Sequence, residues 1–161
     1  MKEQQKKYEL TDEFIEHWSG KKLYRIRALV TFGSVVVGQL GGFVESEKNL
    51  DQSLLGNAWV SGDAQVFDDA QVYGDASVRS YAIISDKKMI FWASNVGSEN
   101  GTLTVFNGKG GLIVTRGCFT GTVDEFLSKS AKVHDDKTKN EYKLLIEVAK
   151  SRILGVKDER N

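Results

Sequence analysis

The sequence contains no proline, one cysteine (Cys118), two histidines (His17 and His134) and no excess of charge, with 22 basic side chains against 22 acidic ones. Each shortage removes an option. A single thiol forms no intrachain disulfide and points to a reducing compartment. Two histidines and one cysteine carry no zinc-ligand signature, so no metal or other cofactor is expected. Zero net charge gives no bulk pull on nucleic acid. No apolar run approaches the roughly 20 residues that span a bilayer. The opening MKEQQKKYEL lacks the apolar centre of a secretory signal, so a cytoplasmic location is expected. Without proline, the 16 glycines share the turns with Asn and Asp.

What is present is a short phrase repeated in register. Written in sixes, residues 55–84 stack Gly56, Gly62, Asp68, Gly74 and Ser80 in one column. Asn57, Asp63, Asp69, Asp75 and Tyr81 form the next. Ala58, Ala64, Ala70, Ala76 and Ala82 follow, and Val60, Val66, Val72, Val78 and Ile84 close the units. In Ala-x-Val, the outer two side chains share one face of a strand and the middle one takes the other. Gly-Asp and Gly-Asn then turn the chain, because glycine tolerates positive φ and Asp or Asn bonds back to the backbone. Short strands with a corner every six residues make a prism filled by Ala and Val, whose coils stack about 4.8 Å apart.

This run resembles the hexapeptide-repeat, left-handed β-helix family, in which three units complete one triangular coil. The glycine stands two places after the aliphatic residue, as in Val60-Ser-Gly62-Asp-Ala64, and this variant is similar to the A-x-V-x-G-[DN] repeat proteins of phages and prophages. The segments LYRIRAL, LGGFVESEKNL, VGSENGTLTVF and GCFTGTVDEF look like parts of the same group, so the resemblance covers about residues 23–126. It implies left-handed coiling and an oligomer, a trimer or a dimer. It also implies a noncatalytic phage protein in a bacterial cytoplasm, acting in counter-defence by masking a host protein or sequestering a nucleotide-like signal.

Eighteen residues per coil place Trp59 over Ser77 and Val60 over Val78, while Asp63, Asp69 and Asp75 fall on different corners and cannot share a metal ion. Five units give less than two coils, whose edges need cover from the flanking segments or from other subunits. The outward positions Trp59, Phe67, Tyr73 and Arg79 make either a surface for the chain's own flanks or a subunit interface built on Trp59, Phe67 and Tyr73.

The remaining chain reads as mainly β with flanking α, in three stretches. Residues 1–22 hold a tail and a short helix at 12–18, started by Thr11 with Asp12 and Glu13. Residues 23–92 hold a strand in the alternating LYRIRALV, irregular strands over 32–50 and the repeat, followed by a strand in SDKKMIFWAS. Residues 93–161 hold a hairpin, TLTVF and LIVT about NGKGG, and two helices. A Thr122–Glu125 capping box opens the first, at 123–133. After a polar loop, HDDKTK, the second runs over 140–154 with Tyr142, Leu145, Ile146, Ala149 and Ile153 in one stripe. Lys143, Lys150 and Lys157 recur at seven-residue spacing, the pattern of a solvated face.

Chemistry has few candidates. Related acyltransferases use a histidine base, but His17 and His134 both lie outside the repeat; acyl transfer needs one of them at a subunit boundary. Cys118 is a nucleophile only if His134 approaches it, and otherwise a small apolar residue. Catalytic residues are therefore not expected. A bound anionic nucleotide would be held by Arg79, Lys109 and Arg116 through phosphate, with Trp59, Phe67 or Tyr73 against the base. A purely structural, assembly role is the remaining alternative.

Overall fold

The N-terminal segment departs from expectation. A computed structural model describes residues 5–155, and in it residues 12–16 belong to a strand, not a helix. β1 (Tyr8–Glu16) pairs antiparallel with β2 (Lys22–Ala28). The register shifts between Leu10 and Phe14, so the cap-like trio Thr11-Asp12-Glu13 falls at an irregularity in the ladder. There the Thr11 hydroxyl donates to the Arg25 carbonyl (2.8 Å) and Glu13 pairs with the Arg25 guanidinium (2.9 Å). Residues that would cap a helix are instead satisfied by a strand neighbour. β3 (Leu40–Val44) pairs antiparallel with β2 on its other side.

The repeat supplies four two-residue strands, β4 (Trp59–Val60), β5 (Gln65–Val66), β6 (Ser77–Val78) and β7 (Ile83–Ile84). β4 pairs with β6 and β5 with β7, both parallel and both at the eighteen-residue offset. Every column Ala and every column Val or Ile is buried. The corner column is set by backbone conformation. Gly62, Asp68, Gly74 and Ser80 have φ of 66°, 53°, 64° and 64°, a region costing an ordinary L-residue about 1–2 kcal/mol. Gly56, first in the column, is constrained differently: a Cβ there would sit 2.3 Å from the Gly74 carbonyl oxygen.

The chain's own flanks cover the coil. At one end β3 pairs parallel with β5, completing a five-stranded sheet in the order β1-β2-β3-β5-β7. Leu50 bridges Val72, and the Asn49 amide reaches the Ala70 carbonyl (2.9 Å). Tyr8 packs into this end, its hydroxyl donating to the Leu50 carbonyl at 2.6 Å. Burial there raises the Tyr8 pKa. Lys7, also fully buried, reaches the Gly56 carbonyl (3.1 Å) across the Phe32 ring. Burial lowers its pKa, with Asp51 and Asp75 opposing.

The other end meets a second sheet, built from β8 (Ile90–Val96), β9 (Gly101–Gly108), β10 (Gly111–Arg116) and β11 (Phe119–Thr122) in the order β11-β10-β9-β8. β9 and β10 form the expected hairpin. Side chains of this sheet stand in for a further coil. Thr104 accepts the Ser77 N–H (3.1 Å), Thr115 donates to the Ser77 carbonyl (2.7 Å), and Asn107 donates to the Ile83 carbonyl (2.9 Å). β9 has two buried faces: Thr104 and Phe106 meet the coil, whereas Leu103 and Val105 meet helices. That explains why Leu103–Phe106 are buried without alternation.

Those helices are α1 (Val123–Val133) and α2 (Asp136–Leu154). The Thr122–Glu125 capping box starts α1 as expected, with reciprocal bonds of 3.1 and 2.8 Å. α2 begins four residues earlier than its apolar stripe suggested, because Asp135 accepts the Thr138 N–H (2.8 Å) and so caps it. That bond holds the Asp135 carboxyl below its ordinary pKa. Tyr142, Ile146, Ala149 and Ile153 are buried, Leu145 is half-buried, and Lys143 and Lys150 face solvent. Lys157 lies outside the described residues. No helix among the described residues is long and apolar enough to cross a membrane.

Candidate functional site

The residues expected to hold a ligand are dispersed. The Arg79 guanidinium is tied into the β10–β11 turn, donating to the Gly117 carbonyl (2.6 Å), the Phe119 carbonyl (3.3 Å) and the Thr120 hydroxyl (3.0 Å). Burial lowers its pKa. Arg116, on the opposite face of β10 from its neighbour Thr115, lies over the Tyr142 ring and donates to the Ser98 hydroxyl (3.0 Å). Lys109 stands exposed at the hairpin tip, with its backbone N–H on the Tyr81 carbonyl (2.9 Å).

Trp59 and Phe67 are buried within the chain, at 6% and 4% exposure. Trp59 meets Tyr8 and Phe32 edge-on, and Phe67 packs with Leu23 and Phe43 under the His17 ring. They cover the chain's own flanks and present no surface to a partner. Of the aromatic candidates, Tyr73 alone is exposed.

The reactive side chains are equally separate. His134 follows α1, with Nδ1 on the Ser130 hydroxyl (2.9 Å) and its ring against Tyr142. His17 bonds Ser19 in the β1–β2 turn. Cys118 is exposed on the β10–β11 turn, and no hydrogen bond joins it to His134 among the described residues. Nor do those residues contain a group of three or more His, Cys, Asp or Glu able to hold a metal ion.

A different set of side chains converges where the repeat fails. A sixth unit would begin at Ser85 and place Lys88 in the column that holds alanine five times over. A lysine does not fit the filled interior of the coil. The chain instead makes a 3₁₀ turn over Lys87–Met89, started by Asp86, whose carboxylate accepts the Lys88 N–H (2.8 Å). Ile90, in the closing column, returns to the core and opens β8. The departure leaves a groove of about 820 Å³ between the coil, β8 and the C-terminal turns of α2.

Tyr73 and Trp92 lie edge-to-face on its wall, with centroids 4.6 Å apart. Lys87, Lys88 and Arg152 supply three exposed cations, and among the described residues no carboxylate lines the groove. Among the described residues none of the three forms an ion pair. Arg152, in the last turn of α2, complements the negative end of the helix dipole, which leaves the two lysines as net positive charge. A separate pocket that shares Gln71 and Tyr73 is lined by Glu47, Lys48 and Asp51.

The sequence held one signal for this place, a lysine in the alanine column. The contributions of Trp92 and Arg152 depend on how the second sheet and α2 pack, and no local pattern carries that. Comparison with protein-family models, with curated proteins and with solved structures finds no match to this chain.

Proposed function

We propose that the protein acts by binding rather than by catalysis, and that the groove between Tyr73, Trp92 and the C-terminal turns of α2 captures an anionic ligand. One observation carries this reading: three exposed cations and the rings of Tyr73 and Trp92 line a groove that has no carboxylate among the described residues. Partial desolvation beside the rings strengthens attraction to an anion over its value in open water. Capture of a signalling nucleotide, or cover of an acidic surface on a host protein, is the biological form that the resemblance to phage repeat proteins suggests. We also read the coil as a left-handed β-helix. Its parallel eighteen-residue pairing supports the three-sided form, and the resemblance supplies the hand.

Equilibrium titration tests the reading with three probes: tripolyphosphate, a nucleoside triphosphate and a glutamate-rich peptide. At least one should bind at low salt, weaken as salt rises, and lose about tenfold or more in affinity in the K87E/K88E/R152E variant. Absence of binding by all three, or binding that the triple variant leaves unchanged, overturns it.

A further inference from the structure

Within the coil, backbone N–H donors follow a rule. Trp59, Ser61, Gln65 and Phe67 donate to Ala76, Val78, Ala82 and Ile84 at 2.9–3.2 Å, each reaching a carbonyl seventeen residues ahead. The same step on the third side would carry Gln71 to Lys88 and Tyr73 to Ile90. Neither bond exists. The 3₁₀ turn has taken Lys88 out of line, and among the described residues the N–H groups of Gln71 and Tyr73 and the carbonyl of Gln71 have no partner. Gln71 and Tyr73 are both exposed, and both line the groove with Lys88 and Ile90 on its far wall. The groove therefore occupies the place of a missing strand.

We infer that this gap accepts an extended acidic segment of another protein, which adds as a strand to Gln71–Tyr73. The inference rests on the anion-capture reading and names its ligand class. Two N–H groups two residues apart, with an acceptor between them, match one edge of an extended peptide, whose carbonyls and amides alternate at the same spacing. Lys87, Lys88 and Arg152 select acidic side chains, and the Tyr73 ring covers the apolar stem of one of them. The groove is open rather than enclosed, which suits an extended chain better than a small molecule that must be enclosed on most of its surface.

The test uses a fluorescently labelled ten-residue peptide of alternating glutamate and threonine, read by anisotropy. A matched peptide is N-methylated through its central six residues, which keeps the charge and blocks both strand edges. Hydrogen exchange of the whole protein is measured with and without peptide. The unmethylated peptide should bind, methylation should weaken it about tenfold or more, and the Gln71 and Tyr73 amides should become slow only in its complex.

Equal binding of the methylated peptide, with those amides still fast, overturns strand addition and leaves anion capture standing. Binding of tripolyphosphate but of neither peptide does the same. If no probe binds, both readings fall. K87E/K88E changes only exposed side chains and should lose peptide affinity while retaining the thermal unfolding profile. Unchanged affinity in that variant overturns the charge selection.

Discussion

Two sides of the coil close their hydrogen-bond ladders within the chain, and the third does not. On the closed sides, Trp59, Ser61, Gln65 and Phe67 reach the next row, and the row below is finished by Thr104, Thr115 and Asn107. On the open side the row ends at Gln71–Tyr73, because Lys88 cannot occupy the interior position that alanine holds in every earlier unit. One residue thus sets where the repeat stops, and the stop leaves the groove. A closed ladder contributes to stability; an open one in contact with solvent contributes little and remains free to bind.

The largest effect should come from breaking a closed side at its centre. Val66 is fully buried between β3 and β7. Val66→Asp puts a carboxylate into an apolar cluster, a penalty of several kcal/mol even after the group takes up a proton. Folded protein should be lost, as read by near-ultraviolet circular dichroism. A cooperative unfolding transition close to wild type would show that the coil interior does not hold the fold together.

Next in size is removal of the substitute strand. T104V/T115V keeps shape and deletes both bonds to Ser77, leaving a half-buried N–H and C=O unpaired, each costing at most about 1–3 kcal/mol. Urea unfolding should show a lower midpoint with an unchanged slope. If the midpoint does not move, the second sheet covers this end by packing alone.

The opposite end gives a smaller, pH-dependent effect through Lys7. Burial holds its folded-state pKa below the unfolded value, so the unfolded chain binds the proton more readily. Wild-type stability should therefore gain as pH rises from the folded-state value toward ~10.4, the ordinary value for lysine. Tyr8, whose pKa burial raises, opposes this above about pH 10, where the unfolded phenol ionises, so the gain is read below that. Lys7→Met should abolish it. An identical pH profile in both proteins would place the ammonium in contact with water.

How far the sequence foretold these features follows from how local each one is. The coil was legible because its register rests on side chains six residues apart, and Ala58 through Ile84 obey one rule. The α1 cap was legible for the same reason, since Thr122 and Glu125 are three residues apart. Thr11-Asp12-Glu13 misled because its partner, Arg25, belongs to the next strand, and a bulge between paired strands has no short-range signature. The early start of α2 has a local signal in Asp135, three residues before Thr138, which the apolar stripe beginning at Tyr142 does not reach. The groove was half legible, in Lys88. Its other wall, Trp92 and Arg152, arrives from β8 and α2 through tertiary packing, as do the backbone carbonyls that accept from Arg79 and the Tyr142 ring under Arg116.

The finest test of the comparison alters no side chain. Exchange of a backbone amide with solvent deuterium slows by the factor its hydrogen bond and burial impose. Gln65 and Phe67 donate to Ala82 and Ile84 at 2.9 and 3.0 Å, in a side sealed by β3 and by Asn107. Their amides should exchange only with global opening, and T104V/T115V should accelerate them by the same factor by which it raises the unfolding equilibrium constant. Gln71 and Tyr73 lie in the same coil, one corner further on. With no acceptor among the described residues, their amides should exchange near the rate of an unstructured peptide and ignore that variant. Slow exchange at Gln71 and Tyr73 in the isolated protein would mean that the third side is closed by something else, and the groove could not then serve as the place of a missing strand.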